Sequence, residues 1–309
     1  MSASGSGRIE GEVVLGLGMM VAGLLIVPSL DALAKLLALH LPPLEVALMR
    51  FVVQTAMVAA FALISGRSGE LWTPNMVGQL IRGAALAVTT LLFFCGLSVM
   101  PLADTVAITF IEPILLTALS ALILREHVAF RRWIACLVGL VGALTIVRPS
   151  FAIFGLNALF PLGAAFTFAC YHLLTRHLAG KATLIGAQFT TGMAGIFVLG
   201  PVLVFTTETG FAHQIGVMPG LNDVPYLIGM GLVSVVAHSL ILKAYDRAPA
   251  AVLAPFGYLE IVSATALGYL IFGDFPGWPT WIGVGLIVGS GLYTVLREHQ
   301  DMQTLDSAA

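Results

Sequence analysis

Two glutamates, Glu112 and Glu260, stand 148 residues apart, each near the middle of an apolar run long enough to cross a bilayer. A charge at the membrane centre costs about 2.5–3.5 kcal/mol on insertion scales, so each ionisable residue there calls for a reason. A pair of carboxylates facing a cavity binds cationic groups or protons. The alternative is that each is protonated or bonded to a neighbouring helix. Asp31 and Lys35 are four residues apart and share a helical face, so they can pair. Arg50 and Asp104 lie at similar depth in the second and fourth apolar runs, which makes Asp31, Lys35, Arg50 and Asp104 one candidate cluster. Such a cluster is either a gate, with Lys35, Asp104 and the neighbouring Pro113 as its parts, or a clamp. In the clamp Arg50 holds a carboxylate bidentately and Asp31 is its resting partner. A static salt-bridge set, with Lys35 snorkelling, remains the plain alternative. His172 and His238 are also intramembrane, suited to proton relay or to hydrogen-bonded packing. Tyr171 and Tyr258 are candidate cavity aromatics, since a buried hydroxyl seeks a partner.

The elements that must position these residues follow from composition. Apolar residues make up 59% of the 309-residue chain and charged residues 10%, and mean hydropathy is +1.00. This is an integral membrane protein by composition. Without water the backbone must bond within each segment, so an all-α fold is expected. Ten spans are predicted near 13–38, 43–65, 76–98, 101–124, 131–148, 155–177, 183–206, 223–245, 249–272 and 277–297. There is no basic stripe for nucleic acid. The three cysteines, Cys95, Cys136 and Cys170, form no CxxC pair, and HExxH and GxSxG are both missing. Neither a metal nor another cofactor is expected, and an embedded enzyme is the weaker reading.

The second half repeats the first. Pro101 matches Pro249, Glu112 matches Glu260, Glu126 matches Asp274, and Trp133-Ile134 matches Trp281-Ile282, without a gap. With the N-terminus cytoplasmic, Arg8, Arg67, Arg125, Arg131, Arg132, Arg176, Lys181, Lys243, Arg247 and Arg297 all fall on the inner side, and Arg148 alone falls outside. That asymmetry sets the orientation, with both termini inside and a bacterial inner (plasma) membrane as the setting. Five helices per half is an odd number, so the second half enters the membrane inverted. The expected organisation is a tail at 1–12, a five-helix repeat at 13–148, an inverted repeat at 155–297 and a tail at 298–309.

The fourth helix and its exit, Pro101-Leu102-Ala103-Asp104 through Ile111-Glu112-Pro113 to Leu124-Arg125-Glu126, have a twin running from Ala248-Pro249 through Tyr258-Leu259-Glu260 to Gly273-Asp274. In these stretches, and in the Gly-rich fifth and tenth helices, the chain resembles the EamA-like branch of the drug/metabolite transporter superfamily. The twin departs from the pattern, with Ile261 after Glu260 where Pro113 follows Glu112. The resemblance covers nearly the whole chain and implies ten helices and transport. Repeats of this kind place a site at the midplane between halves and work by alternating access. Carboxylates, an arginine and aromatics suit a small amphiphilic or zwitterionic metabolite, amino-acid-like in the first reading. A larger nucleoside-, S-adenosylmethionine- or flavin-like compound is the alternative. The partners expected are that small molecule and the lipid bilayer. The smooth face of Gly283, Gly285, Gly289 and Gly291 offers close packing, within the monomer or at a homodimer seam.

Overall fold

The computed structural model describes residues 3–123, 134, 137–138, 141–142, 145, 152–178, 180–208, 219–247, 259–286, 288–290 and 293. Every regular element among the described residues is helical. The elements used below are α1 (Ala3–Leu37), α2 (Pro43–Ile64), α3 (Met76–Leu97), α4 (Leu102–Thr109), α5 (Glu112–Ile123), α6 (Leu159–His177), α7 (Leu184–Glu208), α8 (Val224–Arg247) and α9 (Leu259–Leu267). Among the described residues, six stretches are long and apolar enough to cross a membrane: Val14–Leu37, Pro43–Ile64, Met76–Leu97, Ala152–Thr175, Leu184–Phe205 and Val224–Ala244. Most of the fifth predicted span, the distal part of the tenth and the C-terminal tail lie outside the described residues.

Local chemistry sets the ends. Pro43 opens α2, where its missing N–H costs nothing. The side chain of Asn75 accepts the Gly78 N–H at 3.3 Å to cap α3, and Thr183 accepts the Gly186 N–H at 3.1 Å where α7 starts. At the far end of α9 the backbone widens into a π-turn over Gly268–Phe272 and stops at Gly273, whose φ of 74° suits only a residue without a side chain.

One predicted helix is broken. The sequence suggests a continuous span over 101–124, but the structure has α4 and α5, separated by a turn at Phe110 and Ile111. Pro113 has no N–H to give to the carbonyl four residues back, at Thr109. The backbone tightens instead: Phe110 bonds to Ala107 and Ile111 to Ile108, at 3.3 and 3.2 Å. Glu112 becomes the first residue of a new helix.

α1 packs most extensively on α8, and α3 on α6 and α7. α2 lies against α7 and α8, α9 against α1 and α4, and α5 against α6. Without water between lipid-facing helices, close backbone approach drives this association. The glycines sit accordingly: a Cβ on Gly195 would strike the Phe51 ring, one on Gly192 would strike Thr55, and one on Gly231 would strike Val53. Phe51, Phe94, Leu97 and Leu102 are fully buried at the centre. The tenth-helix glycines behave differently, since a Cβ on Gly285 or Gly289 would meet nothing within 4 Å among the described residues.

Candidate functional site

Arg50 anchors the interior. It lies on α2 and is 5% exposed. Its Nη1 donates to the Thr90 hydroxyl of α3 at 2.5 Å, and its Nη2 to the Ser234 hydroxyl of α8 at 3.4 Å. A polar chain continues from there. The Ser234 hydroxyl donates to Gln54 Oε1 at 3.0 Å, Gln54 Nε2 to Gln188 Oε1 at 3.0 Å, and Gln188 Nε2 to the Ser239 hydroxyl at 3.5 Å. Buried polar groups must be paired, and here each pairing joins two different helices among α2, α7 and α8.

Aromatic surface borders this network. Phe168 and Tyr171 on α6 stack at 5.8 Å with their planes 7° apart, and His172 meets the two rings edge-on at 4.4 and 5.3 Å. His238 on α8 donates from Nδ1 to the Ser234 carbonyl at 2.9 Å, which leaves Nε2 as its acceptor face.

The buried carboxylates are linked to this network through Asp31. Asp31 interacts electrostatically with Arg50, and Glu260 with both Asp31 and Glu112. Tyr171 and His238 also interact with Arg50, and His238 with His172. Glu112 starts α5, where a helix N-terminus favours an anion, and Glu260 lies on α9. One carboxylate oxygen of Glu112, Oε1, is buried with no hydrogen-bond partner. The acids are thus linked in series, Glu112 to Glu260 to Asp31, and Asp31 in turn to Arg50, which also interacts with Tyr171 of the stacked aromatic pair.

The four-residue outer cluster anticipated from spacing divides in two. Asp31 interacts electrostatically with Arg50, yet no hydrogen bond or ion pair joins the two. Lys35 does not pair with Asp31. Its ammonium donates to Asp274 at 2.7 Å and lies 4.6 Å from the centroid of the Phe272 ring. Four-residue spacing permits a helical pair, but the π-turn brings Asp274 closer to Lys35 than Asp31 is. Asp104 accepts the Thr280 hydroxyl at 2.7 Å and interacts electrostatically with Asp274 and Lys35. The same end of the bundle carries the His40–Asp223 contact at 2.8 Å. Pro113 occupies the helix break, and Tyr258 lies outside the described residues.

Spacing alone missed the hydrogen-bonded chain. Gln54, Gln188, Thr90 and Ser234 carry no charge, so the cost that singles out a carboxylate in a span does not single them out. The signal was present: two amide side chains stand in otherwise apolar runs.

The profile of the family described as "EamA-like transporter family" matches residues 14–148 and 155–296. The chain is similar to the S-adenosylmethionine uptake transporter of Rickettsia bellii (strain RML369-C), with 26% identity over 288 residues, 93% of this chain and 96% of the relative. It is also similar to the riboflavin transporter of Vibrio cholerae serotype O1, with 29% identity over 279 residues, 88% of this chain and 89% of the relative. A solved crystal structure aligns over 94% of this chain and 98% of its own, at a TM-score of 0.62 and 17% identity, a likeness of fold.

Proposed function

The chain belongs to the EamA-like transporter family of multi-pass membrane proteins, and on that premise we propose that it carries an S-adenosylmethionine-like metabolite: a heteroaromatic ring joined to an arm with cationic and carboxylate groups. The observation that supports this is the buried charge set, with Asp31 and Tyr171 interacting with Arg50, Glu260 linked to both Asp31 and Glu112, and Phe168 stacked on Tyr171. A sulfonium and an ammonium match the carboxylates, Arg50 matches a carboxylate bidentately, and the adenine lies on the aromatic platform. A flavin with an uncharged ribityl arm makes no use of the acids. An amino acid alone makes no use of the platform. The larger-metabolite reading therefore fits better than the amino-acid-like one.

Alternating access between inverted repeats is the mechanism this reading carries. Its support lies in the packing. With the first helix of one half matched to the first of the other, α1, α2, α3 and α4–α5 correspond to α6, α7, α8 and α9. Exchanging the halves turns α1 on α8 into α6 on α3, turns α3 on α7 into α8 on α2, and leaves α2 on α7 unchanged; all are contacts the chain makes. In the proposed ten-helix inner-membrane arrangement, with cytoplasmic termini, Lys35–Asp274 and Asp104–Thr280 close the outer end and the acids sit at mid-depth.

Uptake into proteoliposomes of the full chain tests the reading. Labelled S-adenosylmethionine should enter saturably, and excess S-adenosylhomocysteine should compete while methionine does not. Uptake of riboflavin with no uptake of S-adenosylmethionine overturns it. Equal competition by methionine would restore the amino-acid-like reading.

A further inference from the structure

A second buried guanidinium stands apart from the acids. Arg82 on α3 is 5% exposed and donates through Nη2 alone, to the Ala187 carbonyl at 3.0 Å and the Thr191 hydroxyl at 3.1 Å, both on α7. Its Nε has no partner. Its guanidinium carbon lies 6.0 Å from the centroid of the Tyr171 ring, and Tyr171 is the one ionisable group that interacts with it electrostatically among the described residues. Unlike Arg50, it has no carboxylate within electrostatic reach among the described residues. One helical turn away, Gln79 is 0% exposed, and neither its amide oxygen nor its amide nitrogen finds a hydrogen bond. Leaving such groups unmade inside a protein is costly, and an uncompensated guanidinium more so. A static stitch between α3 and α7 accounts for Nη2 only.

Both guanidiniums interact electrostatically with Tyr171. Arg50 reaches α3 at Thr90 and interacts with Tyr171 from α2. Thr90 and Arg82 are eight residues apart, about 12 Å of rise along α3. The displacement runs from the central acids toward the end where α3 begins. We propose that Arg82 and Gln79 form a second carboxylate-binding station, which receives the substrate's carboxylate from Arg50 across Tyr171. The inference rests on the substrate class proposed above. A planar fork with a free Nε–H and a neighbouring amide N–H are the donors a carboxylate takes up, and Thr191 completes the rim.

The experiment compares S-adenosylmethionine with decarboxylated S-adenosylmethionine in proteoliposomes of the full chain: wild type, Arg82→Lys and Gln79→Met. Both variants should lower kcat for S-adenosylmethionine, Arg82→Lys by about tenfold, with equilibrium Kd within about twofold, because Arg50 makes the first capture. Neither should slow the decarboxylated compound, which has no carboxylate to hand on. Equal slowing of both compounds, or of neither, overturns the second station. If wild type does not carry the decarboxylated compound, the split for S-adenosylmethionine decides: a fall in kcat at constant Kd upholds the station, and unchanged kcat or a shifted Kd overturns it. If Arg82→Lys does not fold, Gln79→Met carries the same comparison. A wild type that carries neither compound refutes the substrate reading and this station with it; indiscriminate variants of an active wild type refute the station alone.

Discussion

Glu112 and Glu260 meet the same physical problem. Glu112 sits where α5 begins, so unpaired N–H groups oppose the cost of carrying an acid into the bilayer. Their electrostatic interaction with one another means that a charge or proton on one is felt by the other. If these acids couple transport to protons besides matching the substrate's cationic groups, Glu112→Gln and Glu260→Gln should each abolish gradient-driven uptake, while substrate exchange continues at lowered affinity. Full gradient dependence in both variants would make them structural. At the rim, outside the spans, the His40 ring and the Gly220 N–H bond to Asp223 and hold its carboxyl below the usual carboxylate range. A depressed acid stabilises the folded state fully above its ordinary pKa, and that contribution fades as pH falls through the folded value. The melting temperature of Asp223→Asn should thus lie below wild type at pH 7, and the gap should close on acidification. A gap that widens as pH falls would contradict the assignment. The charged residues at this scale were legible in the sequence because charge in an apolar run is conspicuous. Their partners were not: Lys35 finds Asp274 across 239 residues, and no local pattern encodes that.

Helix breaks and close approaches belong to the next scale. Pro113 was visible as an interruption, but the sequence does not say whether a proline kinks a helix or ends it. Here it ends α4 and frees Glu112 to start α5. Glycine was harder to read. The sequence draws attention to the tenth helix, yet the tight seam runs along α7, where Gly192 and Gly195 meet Thr55 and Phe51 of α2. Frequency of glycine marks a smooth surface, and only the facing element determines whether the smoothness is used. Gly195→Ala should therefore destabilise the protein by about 1–3 kcal/mol through overpacking, well beyond the roughly 0.5–1 kcal/mol that alanine gains in a helix. Gly200→Ala, with nothing within 4 Å, should be neutral or slightly stabilising. Melting temperatures in detergent provide the check, and equal shifts for the two variants would contradict the seam.

For the whole molecule the decisive quantity is which side each connection faces. In a background lacking Cys95, Cys136 and Cys170, cysteines placed at Ser98 and Gly277 should react with an impermeant thiol reagent from the periplasmic side, and those at Ser68 and Lys181 should not. Equal labelling of all four would overturn the proposed topology. Composition by itself determined that the chain is helical and embedded, because apolar length and the need to satisfy the backbone in lipid leave few alternatives. The internal repeat and the placement of Lys and Arg were also readable along the chain, since both are one-dimensional patterns. Tertiary structure alone decided that Asp31 interacts with Arg50 while Lys35 turns to Asp274, that Gln54 and Gln188 bridge α2 and α7, and that Arg82 is buried with no acid near it among the described residues. Hydropathy records how much of a helix prefers lipid. The direction in which each remaining polar group points is settled by the helices packed against it, and those come from distant parts of the sequence.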